Sequence, residues 1–182
     1  KKGYSTTGYD LSEQSILEAK KSEEKGLSFF THDMRKIFRT NYYNFALNLF
    51  TSFGYFQNSR DELNAIRSAT LALKHGGIFV IDFLNHEKVK SELIPKETKI
   101  IDNITFNIKK YIKDQKVHKE ISFEADGQSH TYTEKVKLLG LSDFKHYFTQ
   151  SGLEIVDVFG DYDLSSHHAS SNRPIIIGKK NG

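Results

Sequence analysis

The chain has 182 residues, 37% hydrophobic and 27% charged, with 26 Lys and Arg against 23 Asp and Glu for a formal net charge of +3. That length suits one domain with an appended lobe, and so small a positive excess is no argument for nucleic acid. The absence of Cys excludes disulfide frameworks and thiolate metal sites, no apolar run approaches the ~18 residues of a membrane span, and Lys1-Lys2-Gly3-Tyr4-Ser5 lacks the apolar core of a signal peptide.

Along the chain, Tyr4 to Tyr9 reads as a short extended segment. Ser12 to Glu24 reads as a helix: Ser12 caps it, Glu13 and Gln14 suit its first turn, Ile16, Leu17 and Ala19 give it an apolar face, and Gly26 stops it. Leu27 to Thr31 is the next strand and Phe45 to Phe50 a third, with Phe53-Gly54-Tyr55-Phe56 as a loop after it. Arg60 to Lys74 has the clearest helical period, Leu63, Ile66, Thr70 and Leu73 recurring at spacings of three or four behind a cap at Asn58 or Ser59. Gly76-Gly77 ends this helix and feeds Ile78 to Phe83, a buried strand that is fully apolar apart from Asp82.

After Asn85 the composition changes, and Pro95 marks a boundary. Residues 97–138 alternate apolar and polar, with Ile104, Phe106 and Ile108, then Val117, Ile121 and Phe123, then Tyr132, Glu134 and Val136 on successive strands. Turns fall near Asp114-Gln115 and at Asp126-Gly127, so this segment is an antiparallel lobe with one wet face. Leu141 to Gln150 is a helix ended by Gly152, and Leu153 to Phe159 and Pro174 to Gly178 are two final strands flanking a polar loop, 161–173. The expected organisation is a core over 1–96, an inserted lobe over 97–138 and a closing segment over 139–182.

Strands separated by helices in this way indicate a parallel sheet with helices on its faces. The carboxyl ends of such strands line the ligand crevice. Here those ends carry acids, hydroxyls and Gly: Gly8-Tyr9-Asp10, Thr31-His32-Asp33 and Asn48 to Ser52.

The ordered series resembles the class I S-adenosylmethionine-dependent methyltransferases over nearly the whole chain. Gly8-Tyr9-Asp10-Leu11-Ser12 looks like the end of the family's second strand, where the acid accepts the ribose hydroxyls; Asp10 takes that part. His32-Asp33-Met34 looks like the adenine site, the acid taking the exocyclic amine and Met34 packing on the ring. Asn48-Leu49-Phe50 and the residues to Phe56 look like the segment that wraps the methionine part. Leu73-Lys74-His75-Gly76-Gly77 resembles the family's L-K-P-G-G turn with His75 in place of Pro. The resemblance implies an α/β fold, a Rossmann-like doubly wound and mostly parallel sheet, with the antiparallel lobe inserted after the fifth family strand as a substrate lid. It implies S-adenosyl-L-methionine as cofactor, Asp10, Leu11, Asp33, Met34, Asn48, Leu49 and Phe50 as its contacts, and a small-molecule acceptor.

For catalysis the candidates are Tyr55, after the fourth family strand, and His86, after the fifth, a solvated loop histidine being the bland alternative for the latter. Tyr55, Tyr162 and Arg173 are the candidates for substrate binding. Asp82 either points into the crevice or caps a neighbouring helix. One departure is large: no Gly-x-Gly-x-Gly precedes Asp10. In the family that loop follows a first strand lying between the second and fourth, so the sequence reads as a fragment of a longer chain or as one whose upstream part was lost. Without that strand, two others keep unpaired backbone groups.

Two other readings compete. Lys109, Lys110, Lys113, Lys116 and Lys119 with Tyr111 could face a nucleic acid, but a solvated edge rich in Lys is favoured, and Asn48 lacks the Pro-Pro-aromatic of the exocyclic-amine methyltransferases of DNA. A methyltransferase-like fold without its glycine loop could also be a non-catalytic binding module, although the retained Asp10 and Asp33 argue against that. Adjacent His167 and His168 make a poor metal site, so none is expected. A cytoplasmic monomer or homodimer, without membrane or nucleic-acid partner, is the resulting expectation.

Overall fold

The computed structural model describes residues 3–182. In chain order the elements are β1 (Thr6–Asp10), α1 (Glu13–Lys20), β2 (Leu27–Thr31), β3 (Tyr43–Asn48), α2 (Ser59–Ala72), β4 (Leu73–Asp82) and α3 (His86–Glu92). They continue with β5 (Lys96–Ile101), β6 (Ile104–Lys113), β7 (Lys116–Ala125), β8 (Gln128–Lys137), α4 (Leu141–Gln150), β9 (Leu153–Phe159) and β10 (Ile175–Lys180).

The cap at Ser12 forms as expected, its hydroxyl accepting the Ser15 amide at 3.2 Å. α1 nevertheless ends at Lys20, short of the expected Glu24. The reason is local: the Glu23 carboxylate accepts the Phe29 amide at 2.7 Å and Glu24 bridges to Leu27, so this stretch shapes the turn into β2. α2 is capped by Asn58, whose side chain accepts the Asp61 amide at 3.0 Å. It ends at Ala72, and Gly76-Gly77 lies inside β4 rather than at a helix terminus. Leu73 is already extended, at φ −74° and ψ 144°, and the pairing of β3 with β4 is irregular between Tyr43 and Phe45. Gly77 fits that irregularity because a Cβ there would lie 2.8 Å from the Lys74 carbonyl oxygen.

β1 and β2 pair in parallel. β3 and β4 also pair in parallel, and β10 runs antiparallel between β4 and β9, giving the order β3-β4-β10-β9. Among the described residues no strand pairs with the second edge of β1, or with the edge of β3 away from β4. The mostly parallel sheet is therefore in two pieces. Residues 32–42 tie them together through Ser68 Oγ donating to the Lys36 carbonyl at 2.6 Å and the Asn41 amide donating to the Leu71 carbonyl at 2.8 Å.

The core lies between the four-stranded sheet and the helices α2 and α4. Ile66, Leu73, Phe79, Ile81, Phe83, Phe144, Phe148 and Ile176 are buried there, each such side chain contributing about 1.5–3 kcal/mol of transfer free energy. The ring pairs Phe79–Phe148 and Phe83–Phe144, with centroids 5.6 and 5.1 Å apart, lock strand to helix. In the Ile78–Phe83 strand, Phe79, Ile81 and Phe83 are buried on the core face, and on the other face only Asp82, at the strand end, is buried. Ile78 and Val80 on its other face are half-buried, and on neighbouring β3 Phe45 and Leu47 are 62% and 60% exposed.

The inserted lobe has four strands, β5-β6-β7-β8, all antiparallel. β5 and its turn at Asp102-Asn103 were not foreseen; both residues have φ near +50° to +65°, like Asp114-Gln115 and Asp126-Gly127 at the other two turns. α3 was also not foreseen, since its seven residues have no buried face to create a period. No helix among the described residues is long and apolar enough to cross a membrane.

Candidate active site

The carboxyl ends of β1, β2, β3 and β4 carry the polar side chains that sequence reasoning singled out. Asp10 ends β1, and one of its oxygens accepts the Ser12 amide at 2.8 Å, leaving Oδ2 uncommitted. Leu11 beside it is exposed. The His32 amide donates to the Asp10 carbonyl at 2.9 Å, which sets the segment carrying Asp33 alongside. Met34 packs against the core, and Asn48 Nδ2 lies 4.0 Å from its sulfur, so the ends of β2 and β3 meet.

Asp33 is already engaged. Arg35 brings Nε to both carboxylate oxygens at 3.0 and 3.1 Å, Nη2 to Oδ2 at 2.7 Å and its own amide to Oδ1 at 3.0 Å. That occupies the four lone-pair positions of a carboxylate, so a further donor must displace one Arg35 contact. The Arg35 side chain holds the Asp33 carboxyl down at about 2. Arg35 also reaches Asp61 on α2 at 3.2 Å.

The chain after β3 is strained. Phe50 and Thr51 are consecutive non-Gly residues with φ of 56° and 59°, costing on the order of 1–3 kcal/mol each. The turn is held from β4: the Phe50 amide donates to Asp82 Oδ2 at 3.0 Å and the Thr51 amide to the Asp82 carbonyl at 3.1 Å. Asp82 caps no helix, the caps being Ser12, Asn58, Asn85 and Gly140. Its carboxylate, 1% exposed, is bound instead by Arg173 Nη1, 2.6 Å from Oδ2 and also in contact with Oδ1, and by the Tyr162 hydroxyl at 2.9 Å. Arg173 lies over the Tyr162 ring at 4.7 Å and donates to its hydroxyl. Desolvation, reinforced by the bond to Asp82, raises the Tyr162 phenol above its ordinary value.

Tyr55 is half-exposed after this turn, and its phenol is raised by burial first and then by the nearby Glu134 of β8. Its neighbour Gly54, at φ 85°, has Phe83 and Val136 within 3.1 Å of where a Cβ would stand. The Gly54 carbonyl also accepts the Lys137 amide at 2.8 Å, so β8 is tied to this segment. His86 is not a solvated loop residue. It is the first residue of α3, its Nε2 lies 2.7 Å from Glu87 Oε1, and its ring packs so closely on Gly140 that a Cβ there would come within 2.9 Å. Among the described residues no hydrogen bond, ion pair or ring contact joins Tyr55 to His86. Burial, followed by His168 and His86, lowers the His167 imidazole, but no group of three or more His, Cys, Asp or Glu among the described residues could hold a metal ion.

Two structural roles were not read from the sequence, although Asn85 itself stands with His86 among the residues after the fifth family strand. Asn85 caps α3 through its Oδ1, while its Nδ2 donates to the carbonyls of Ala169 and Ser171 at 2.8 Å each, pinning loop 161–173. Glu62, fully buried on α2, pairs with Lys137 of β8. The lobe's lysines are divided by the pleat. Lys110 and Lys119 share the face of Ile108 and Ile121 and pair with Glu97 at 2.7 Å and Glu134 at 3.2 Å, whereas Lys109, Lys113 and Lys116 lie on the opposite face.

A donor set for a nucleoside-bearing cofactor is present at these strand ends: the open oxygen of Asp10 and a buried Asn48 Oδ1 with no hydrogen-bond partner. An unpaired buried acceptor of this kind is costly, and a ligand donor would satisfy it.

No protein-family model matches the sequence, and no curated protein matches it. Solved structures do. An S-adenosylmethionine-dependent methyltransferase from Clostridium acetobutylicum ATCC 824 superposes with a TM-score of 0.85 at 20% identity, over 97% of this chain and 75% of that one. The CcbJ methyltransferase from Streptomyces caelestis gives 0.83 at 15% identity, over 99% and 76%. The sugar N-methyltransferase KedS8 from Streptoalloteichus sp ATCC 53650 gives 0.81 at 15% identity, over 97% and 71%. At these identities the likeness establishes the fold: this chain has the Rossmann-like α/β fold of the S-adenosylmethionine-dependent methyltransferases.

Proposed function

We propose that this chain is a methyltransferase that uses S-adenosyl-L-methionine and methylates a small-molecule acceptor beneath the β5–β8 lobe. The observation that carries the reading is the meeting of three strand ends: Asp10 on β1, Asp33-Met34 after β2 and Asn48-Leu49-Phe50 at the end of β3, with Met34 against Asn48. When bound, the sulfonium cofactor supplies an activated methyl group. The chain's own part is to bind, align and exclude water. Asp10 accepts the ribose hydroxyls in charge-assisted hydrogen bonds, and Leu11 and Met34 offer apolar contact to the adenine. Asp33 receives the adenine amine after giving up one Arg35 contact, Asn48 Oδ1 accepts a cofactor donor, and Leu49 and Phe50 wrap the remainder. Tyr55, beside Glu134, orients the acceptor, and His86 is the candidate to take a proton from it where the acceptor must lose one.

The small-molecule acceptor is supported by the fold shared with a sugar N-methyltransferase and by the pairing of Lys110 and Lys119 with acids, which breaks the basic patch that a phosphate backbone needs. One observation favours a second reading, a non-catalytic module: Arg35 saturates Asp33. Thermal unfolding with S-adenosylhomocysteine separates the two. A catalytic site raises Tm with ligand concentration, and Asp10→Ala removes the rise. No rise in wild type, with none gained in Arg35→Ala, contradicts the enzyme reading.

A further inference from the structure

Asp82 sits where three segments distant in sequence converge. Its carboxylate takes the Phe50 amide from the turn after β3, the Tyr162 hydroxyl and the Arg173 guanidinium from the loop between β9 and β10. Its carbonyl takes the Thr51 amide. That loop is fixed twice more: the Arg173 amide donates to the Gly160 carbonyl at 3.2 Å, and Asn85 holds the carbonyls of Ala169 and Ser171. The chain re-enters the core at Phe53, but within the turn itself Phe50 is 75% exposed and Ser52 donates only to Leu49, so the held amides of Phe50 and Thr51 both end on Asp82. A left-handed pair of non-Gly residues persists only when its surroundings over-determine it, and here the surroundings are Asp82.

We propose that Asp82 is a positioning residue: oriented by Arg173 and Tyr162, it sets the left-handed Phe50–Thr51 turn, so that the loop between β9 and β10 controls cofactor affinity without touching the cofactor. The proposal rests on the reading of Leu49 and Phe50 as cofactor contacts. Arg173 and Tyr162 then act through Asp82, and their state is felt before any acceptor arrives. A carboxylate facing a guanidinium and a phenol can hold a fixed rotamer that a carboxylate facing water cannot.

Two readouts on Asp82→Asn, Arg173→Lys, Arg173→Met and Tyr162→Phe test this. The first is amide hydrogen exchange at Phe50 and Thr51. Both amides are expected to be protected in wild type and to lose protection selectively in Arg173→Met and Tyr162→Phe, while β4 amides keep theirs. The second is the Kd of S-adenosylhomocysteine, measured with no acceptor present. It is expected to rise about tenfold in Arg173→Met, to recover in part in Arg173→Lys, and to show coupling between the Asp82 and Arg173 changes instead of additivity. Unchanged exchange at Phe50 and Thr51 overturns the proposal. So does lost protection with an unchanged Kd, which reduces the network to a structural one. If wild type binds no S-adenosylhomocysteine, the methyltransferase reading fails, and exchange at Phe50 and Thr51 still decides whether Asp82 sets the turn. If Arg173→Met unfolds, seen as exchange at β4, the half-exposed Tyr162→Phe carries the test.

Discussion

Lys137, the last residue of β8, places its Nζ 2.8 Å from a carboxylate oxygen of Glu62, which is fully buried on α2. This pair fastens the inserted lobe to the helix layer, with the Tyr147 hydroxyl of α4 a third member at 3.4 Å. Removing one partner of a buried pair strands the other charge. Lys137→Met is expected to destabilise the chain by about 3–5 kcal/mol in urea unfolding, and Glu62→Gln by less, because the neutral amide tolerates burial. Burial raises the Glu62 carboxyl despite Lys137. With its folded pKa above the unfolded one, its contribution to stability is greatest in acid and declines as pH rises through the folded value. Glu62 therefore does not drive acid unfolding.

Asp33 behaves in the opposite sense. Its hydrogen bonds from Arg35 hold its pKa at about 2. A depressed carboxylate stabilises above its unfolded value and loses that contribution as pH falls toward the folded one. The anchoring of residues 33–36 is expected to weaken from about pH 4, the ordinary Asp range, down to about 2. Carboxyl-carbon NMR titration checks this, and Arg35→Ala is expected to return Asp33 to the ordinary range.

Gly54 combines a left-handed φ of 85° with Phe83 Cζ at 2.9 Å from a Cβ position. Gly54→Ala is expected to cost about 1–3 kcal/mol through overpacking, read as a lower Tm, and to displace Tyr55 from Glu134.

The two faces of the four-stranded sheet are expected to respond differently to substitution. Ile81, fully buried against α2 and α4, is expected to lose about 2–5 kcal/mol on truncation to Ala. Phe45 is 62% exposed, and Phe45→Ser is expected to stay within about 0.5 kcal/mol. Chemical denaturation of the two variants side by side decides it.

Much of the architecture was legible because local pattern and tertiary role agree. β2, α4 and β9 fall where hydrophobic period and flanking Gly put them. β3 is displaced because its expected last residues, Leu49 and Phe50, leave the strand for a turn that only Asp82, 32 positions later, can hold. Gly76-Gly77 has the signature of a helix end but serves a strand irregularity, since β4 begins at Leu73 by pairing with Tyr43. The placement of Asp10 and Asn48 at strand ends, and of Asp33 just after β2, could be read from the sequence. Glu62 could not, because on α2 it resembles any surface carboxylate until Lys137 is brought to it. Neither the saturation of Asp33 by Arg35 nor the capture of Arg173 by Asp82 leaves a mark at sequence spacing.

Isothermal titration of S-adenosylhomocysteine into the chain tests the central claim most directly, because it needs no acceptor. The account expects one site with a micromolar Kd, weakened at least tenfold in Asp10→Ala by loss of a charge-assisted hydrogen bond. No heat of binding in wild type, or binding indifferent to Asp10→Ala, would contradict it.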